Sequence, residues 1–195
     1  MTPLLLAAAL SLPAEAEDTT ASVSADRSWN AYGGFPWTGL QYSRSLQGPA
    51  HWVTHFETAL FLRWDASSGV GFQWSPTSAL QLNASVSAGW IEQYGPLPRQ
   101  GPQANAVLRV QRSGRVVPRL EHKSTAFWAW STSQPDYQGL EERIGLLTPL
   151  RSHTWELGLG IPVLGKVLIE PSIRFGSVDE KFALPAVSIG ARSLL

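Results

Sequence analysis

The segment Trp52-Val53-Thr54-His55-Phe56-Glu57-Thr58-Ala59-Leu60-Phe61-Leu62-Arg63-Trp64 alternates without a break. Every second residue gives Trp52, Thr54, Phe56, Thr58, Leu60, Leu62 and Trp64, and the interleaved set is Val53, His55, Glu57, Ala59, Phe61 and Arg63. A period of two puts these sets on opposite faces of a strand. The first face is apolar with a Trp at either end; the second carries His, Glu and Arg. In a small soluble protein the apolar face of a strand turns to a shared core. Here it is bounded by aromatics of the kind found at bilayer interfaces, as on a strand that crosses a membrane with its polar face toward a barrel lumen. The expectation is one long strand from Trp52 to Trp64.

The same alternation recurs outward from this segment. Trp29 to Ser43 reads as a first strand kinked near Pro36, and Gly48-Pro49 as a turn. Ser67-Ser68-Gly69 reads as a second turn, before a short strand with Val70, Phe72 and Trp74 that stops at Pro76. Leu80, Leu82, Ala84, Val86, Ala88 and Trp90 form another apolar face, opposite Gln81, Asn83, Ser85, Ser87 and Gly89. The proline-rich run from Gly95 to Pro102 reads as an unpaired loop. Ala104, Ala106, Leu108 and Val110 lead to a tight turn at Ser113-Gly114. A return strand then sets Leu120, Ala126, Trp128 and Trp130 outside and Arg115, Arg119, Glu121 and Lys123 inside, with a bulge expected at Pro118. Ile144 to Leu150 is expected to be a strand, Arg151-Ser152 a turn, Trp155 to Ile161 a strand, Leu164-Gly165 a turn, and Val167 to Phe175 a strand. Phe182 to Leu195 supplies the last strand.

The fold class that follows is all-β: a closed up-and-down antiparallel transmembrane β-barrel of about ten strands, with eight the alternative. Strands in lipid must pair every backbone amide internally, so the sheet has to close. The inner surface would carry Glu57, Arg63, Arg109, Arg119, Glu121, Lys123, Arg143, Glu156, Glu170 and Arg174. A barrel of this size holds little beyond its own side chains, so a salt-bridged plug is expected rather than an open pore. Trp52, Trp64, Trp90, Trp128, Trp130 and Trp155 are the expected membrane-interface aromatics. A soluble lipocalin-like carrier would need the reverse arrangement, apolar inside and polar outside, and stands as a rival.

Composition agrees with a membrane barrel. The 195 residues suit one domain, and 15% charged residues is low. Fifteen basic and fifteen acidic residues cancel, which gives no electrostatic reason to expect nucleic acid as a partner. A mean hydropathy of −0.06 is what alternating strands average to. With no Cys there is no disulfide framework, thiolate metal site or cysteine nucleophile. His51 and His55 share a strand face about 13 Å apart, too far to chelate one ion, so neither metal nor cofactor is expected. Residues 1–16, with the apolar run Leu4 to Leu12 and the site Ala14-Glu15-Ala16, read as a signal peptide. Residues 17–28 read as a polar lead-in and 29–195 as the barrel.

In pattern, the stretch from Trp29 to Leu195 resembles the small outer-membrane β-barrel proteins of Gram-negative bacteria. That resemblance implies a bacterial outer-membrane location and contact with outer-membrane lipid. It also implies a non-enzymatic structural, adhesion or docking role beside other envelope proteins. A more local likeness lies in Arg119-Leu120-Glu121-His122-Lys123-Ser124-Thr125-Ala126, Gln134-Pro135-Asp136 and Gly139-Leu140-Glu141-Glu142. This is similar to the outer-membrane lipid A deacylases. The alternative it implies is an esterase with Ser124 as nucleophile, His122 as base and Glu142 or Glu141 as the orienting acid. His122 and Ser124 are two apart and share the face of Leu120 and Ala126, where a lipid ester would lie.

Overall fold

The computed structural model describes residues 27–35, 37–60, 63–94, 99–128, 130–131, 149–163, 167–178 and 181–194. They form ten strands: β1 Arg27–Phe35, β2 Trp37–Ser45, β3 Ala50–Ala59, β4 Arg63–Thr77, β5 Leu80–Gln93, β6 Arg99–Arg112, β7 Val117–Phe127, β8 Leu150–Val163, β9 Val167–Val178 and β10 Lys181–Leu194. Trp130–Ser131 continues β7 along β6 in the same register. Every strand runs antiparallel to its sequence neighbours. The last pairs with the first, from Ser28↔Leu194 to Phe35↔Val187, so the sheet has no free edge.

Trp52 to Trp64 is not one strand. It is the end of β3, a connection at residues 60–62 and the start of β4, with Thr58 opposite Trp64 and Ala59 opposite Arg63. Leu60 takes a φ of 47°, in the left-handed region, where the chain reverses. A connection of three residues keeps the parity of the alternation, so outward residues on β3 are followed by outward residues on β4. The pattern therefore crosses the turn unmarked. Trp29 to Ser43 likewise folds as two paired strands, β1 and β2, either side of Pro36.

Other boundaries move for related reasons. Ser67, Ser68 and Gly69 lie inside β4, and Arg151 and Ser152 inside β8; Ser67 and Ser152 line the lumen, where polar side chains belong, while Ser68 and Arg151 lie on the outer face. β4 also continues through Pro76. Arg99 to Pro102 pairs with β5, so part of the proline-rich run is strand. Pro118 causes no bulge; it lies beyond the last β6 partner and faces Leu159 of β8. The register shifts fall instead between Trp74 and Thr77 and between Arg174 and Gly176. β6 and β7 are joined by residues 113–116, wider than a two-residue turn. The strand expected from Ile144 lies outside the described residues, apart from Pro149 and Leu150. Gly48, with a φ of 60°, forms the β2–β3 turn.

The exterior is apolar. Phe56 is 46% exposed, Leu108 51% and Ile189 62%, with Leu40, Val70, Val86, Leu159, Ile161, Ile169, Ile173 and Val187 also outward. So continuous an oily band exceeds anything a soluble monomer tolerates, and it belongs against hydrocarbon. Trp29, Tyr42, Trp52 and Trp74 mark one rim, where β1 begins and β10 ends; the Trp29 and Tyr42 rings pack 4.5 Å apart. At the opposite rim are Trp64, Trp90 and Tyr94, with Trp64 Nε1 donating to Tyr94 Oη at 3.5 Å. The interior holds the buried polar residues. This is the reverse of a lipophilic carrier cavity, so the lipocalin-like alternative does not describe this chain.

Leu108→Arg places a cation in the middle of the outer band. It should cost about 2–4 kcal/mol of folding free energy in bilayers. Denaturant titration of vesicle-folded protein measures the loss. Gly89→Ala should also reduce folded yield, because a Cβ there would run into Ala66 O and Ser67 Cα of β4.

Candidate functional site

Two places carry chemistry: the charged core of the lumen and a polar patch on the outer wall. The first begins with strand parity. Odd-numbered residues of β3, β6 and β7 point inward, and so do even-numbered residues of β8, β9 and β10. A charge buried in a narrow lumen is tolerated only when paired at short range. Arg119, 4% exposed, satisfies that demand for three glutamates at once. It lies 3.0 Å from Glu121, 2.5 Å from Glu156 and 3.9 Å from Glu170.

Each glutamate also holds one further arginine. Glu121 is 2.7 Å from Arg109, Glu156 is 3.1 Å from Arg174, and Glu170 is 3.2 Å from Arg192. These three arginines then reach across the lumen. Arg109 Nη2 donates to Gln41 Oε1 at 3.0 Å, Arg174 Nη1 to Glu57 Oε2 at 2.7 Å and Arg192 Nη1 to Gln111 Oε1 at 3.2 Å. Each reach spans four steps around the ring: β6 to β2, β9 to β3 and β10 to β6. The wall is thus braced from within by a hub, three spokes and three crossbars.

A second cluster adjoins Glu57. The Tyr32 hydroxyl donates to Glu57 Oε2 and lies 3.0 Å from His55 Nε2. His55 Nδ1 is 3.5 Å from Asp65 Oδ1, which accepts from Gln103 Nε2 at 3.4 Å. Arg63 approaches Asp65 at 3.7 Å and stands 5.2 Å from the Trp37 ring centroid. Arg174 is 5.3 Å from the Tyr32 ring centroid. Lys123 points into the same space, and among the described residues it makes no ion pair within 4 Å. The cavities along the axis include three of about 50, 60 and 100 Å³. Each has room for a few waters.

Of the residues expected inside, Glu57, Arg63, Arg109, Arg119, Glu121, Lys123, Glu156, Glu170 and Arg174 lie on the inner face, and Arg143 lies outside the described residues. Sequence reasoning missed Tyr32, Gln41, Asp65 and Arg192. Asp65 follows Trp64 across the concealed turn, and its odd number was the available signal. Arg192 lies in a final strand whose alternation is diluted by Ser and Gly. Trp155 is not at a rim: it pairs with His122 near mid-strand, their ring centroids 4.2 Å apart. Trp130 belongs to the segment that extends β7, and Trp128 N donates to Pro102 O at 3.0 Å.

On the outer wall, His122 and Ser124 share the lipid-facing side of β7. Ser124 is directly opposite His153 of β8 and Ala106 of β6. The His122 and His153 rings stack nearly parallel, their centroids 5.6 Å apart and their planes at 5° to each other. His153 was hidden from sequence reasoning by the turn expected at Arg151-Ser152. Glu141 and Glu142, the acids of the expected triad, lie outside the described residues. The patch can bring a hydroxyl and imidazoles to a lipid surface.

No protein-family model and no curated protein matches the chain. Among solved structures it is similar to the KdgM porin, with a TM-score of 0.38 and 8% identity over 87% of this chain and 98% of that one. It is similar to the NanC porin with a TM-score of 0.38 and 6% identity over 88% and 100%. A third is the translocator domain of autotransporter NalP from Neisseria meningitidis, with a TM-score of 0.33 and 7% identity over 88% and 89%.

Arg119→Ala strips the shared counter-ion from three buried glutamates and should cost about 3–5 kcal/mol. Arg174→Ala should cost at least as much, because Glu156 keeps Arg119 but buried Glu57 loses its one arginine. The temperature at which the folded gel band converts to the unfolded one ranks the two variants.

Proposed function

We propose that this chain is an integral outer-membrane β-barrel of a bacterial envelope, acting as a non-enzymatic structural, adhesion or docking component with a closed lumen. A closed barrel with an oily outer band is the architecture of outer-membrane-type proteins. The observation that carries the closed lumen is the set of arginines reaching from one wall to the other, with cavities of about 50, 60 and 100 Å³ between and beside them. On this reading a solute larger than a few waters finds no path past them. What remains for function is the outer surface and the rims, where lipid and envelope proteins would be met.

The test combines fractionation with electrophoresis and conductance. The protein should co-sediment with outer membranes and migrate faster unheated than boiled. In planar bilayers it should give no steady conductance. A protein that stays monodisperse without detergent overturns the membrane assignment, and steady conductance overturns the closed lumen.

A second reading is a lipid ester hydrolase, acting on lipid A or phospholipid. It is favoured by Ser124 standing opposite His153 with His122 stacked beside it, all toward lipid. In this reading Ser124 is the nucleophile, an imidazole of the pair the base, and Glu141 or Glu142 the orienting acid. Mass spectra of lipid A from cells making wild type or Ser124→Ala decide it: a missing acyl chain restored by the variant supports hydrolysis, and identical spectra remove it.

A further inference from the structure

These three cavities of the lumen are separated by two of the crossbars, and the third, Arg192 with Gln111, lines only the cavity nearest the first rim. Arg109 and Gln41 line both the cavity that reaches the first rim and the middle one. Arg174 and Glu57 line both the middle cavity and the one toward the opposite rim. Each arginine is held at two points. Its near foot is on a neighbouring strand: Arg109 on Glu121 at 2.7 Å, Arg174 on Glu156 at 3.1 Å. Its far foot is across the lumen, on Gln41 or Glu57. A far foot can let go while the near foot stays paired, and no strand has to move. A guanidinium on a long flexible stem that has one permanent and one releasable partner is a gate.

We propose that the lumen is a gated path for small monovalent cations, with Arg109 and Arg174 the two gates and Glu57 the residue that sets selectivity. The proposal rests on the closed-lumen reading above. When the gates fold back, Glu121 and Glu156 each retain both their own arginine and Arg119. Glu57 alone gives up its arginine. The Tyr32 hydroxyl and His55, the latter at 3.9 Å, remain beside it. An anionic carboxylate then faces the opened path where the middle cavity is only about 60 Å³. A carboxylate at a constriction favours cations over anions. Ser67, Ser87 and Asn105 line the same space and offer oxygen atoms to an ion that has shed part of its water.

The two gates differ in strength. Arg109 meets a neutral amide across the lumen, whereas Arg174 meets a carboxylate, so the second contact adds the attraction of opposite charges to the hydrogen bond. Arg174 is therefore the tighter gate.

The test uses the full chain in planar bilayers under a KCl gradient, with the unheated gel band as the check of folding. Wild type should stay closed. Arg109→Ala with Arg174→Ala should show steady steps and a reversal potential shifted toward that of K⁺. Adding Glu57→Gln should keep the steps and move the reversal potential part of the way back toward zero, since Glu121 and Glu156 have also lost an arginine each in this background. If the double alanine variant does not fold, Arg174→Gln with Arg109→Gln, which retains polar side chains, is measured in its place. A folded double variant that stays closed overturns the gates and leaves the closed-lumen reading intact. Steps whose reversal potential ignores Glu57→Gln overturn its role. Wild type that conducts as the double variant does overturns the closed lumen, and the gates with it.

Discussion

The pairing of β1 with β10 is the constraint on which the rest depends. In hydrocarbon an unpaired strand edge leaves amides with no water to receive them. Eight residue pairs, Ser28↔Leu194 to Phe35↔Val187, remove that edge. Closure also converts a two-faced ribbon into an inside and an outside. Once the ring is shut, polar side chains from opposite strands have nowhere to point except at one another. The oily residues that would form a core in a soluble sandwich are left facing lipid.

Charge burial is then solved by sharing. Arg119 is too enclosed to stay charged without carboxylates, and Glu170, 2% exposed, is as dependent on arginine. Because Glu121, Glu156 and Glu170 each touch two arginines, loss of one crossbar leaves each of them a counter-ion, whereas among the described residues Glu57 has Arg174 as its one arginine. The hub is different: it is the one residue common to all three glutamates. This separates the groups that hold the barrel together from those that can move within it. The wall-to-wall contacts of Arg109 and Arg174 belong to the second kind.

The outer wall shows how closure also creates sites between strands. Ser124 and His122 lie on β7, and neither is near His153 in sequence. The β7–β8 register brings His153 opposite Ser124 and turns the His122 ring onto it. Trp155, expected at an interface, instead buttresses His122 near mid-strand. A polar patch within an oily belt costs free energy in lipid, which is why it draws notice as a place where lipid chemistry could occur.

Alternation alone determined that the chain is all strand, that its faces are segregated, and that Glu57, Arg109, Arg119, Glu121, Glu156, Glu170 and Arg174 share the polar side. A period of two is a local property, written in the side chains themselves. It could not locate the turn at Leu60, because a three-residue connection preserves parity and the pattern runs through it. Nor could it show that Ser67 and Arg151 lie within strands. The partners across the lumen were beyond its reach altogether. Arg174 and Glu57 are 117 residues apart and meet because the ring closes. Which charges pair depends on strand number, stagger and curvature together, and only the folded barrel sets all three.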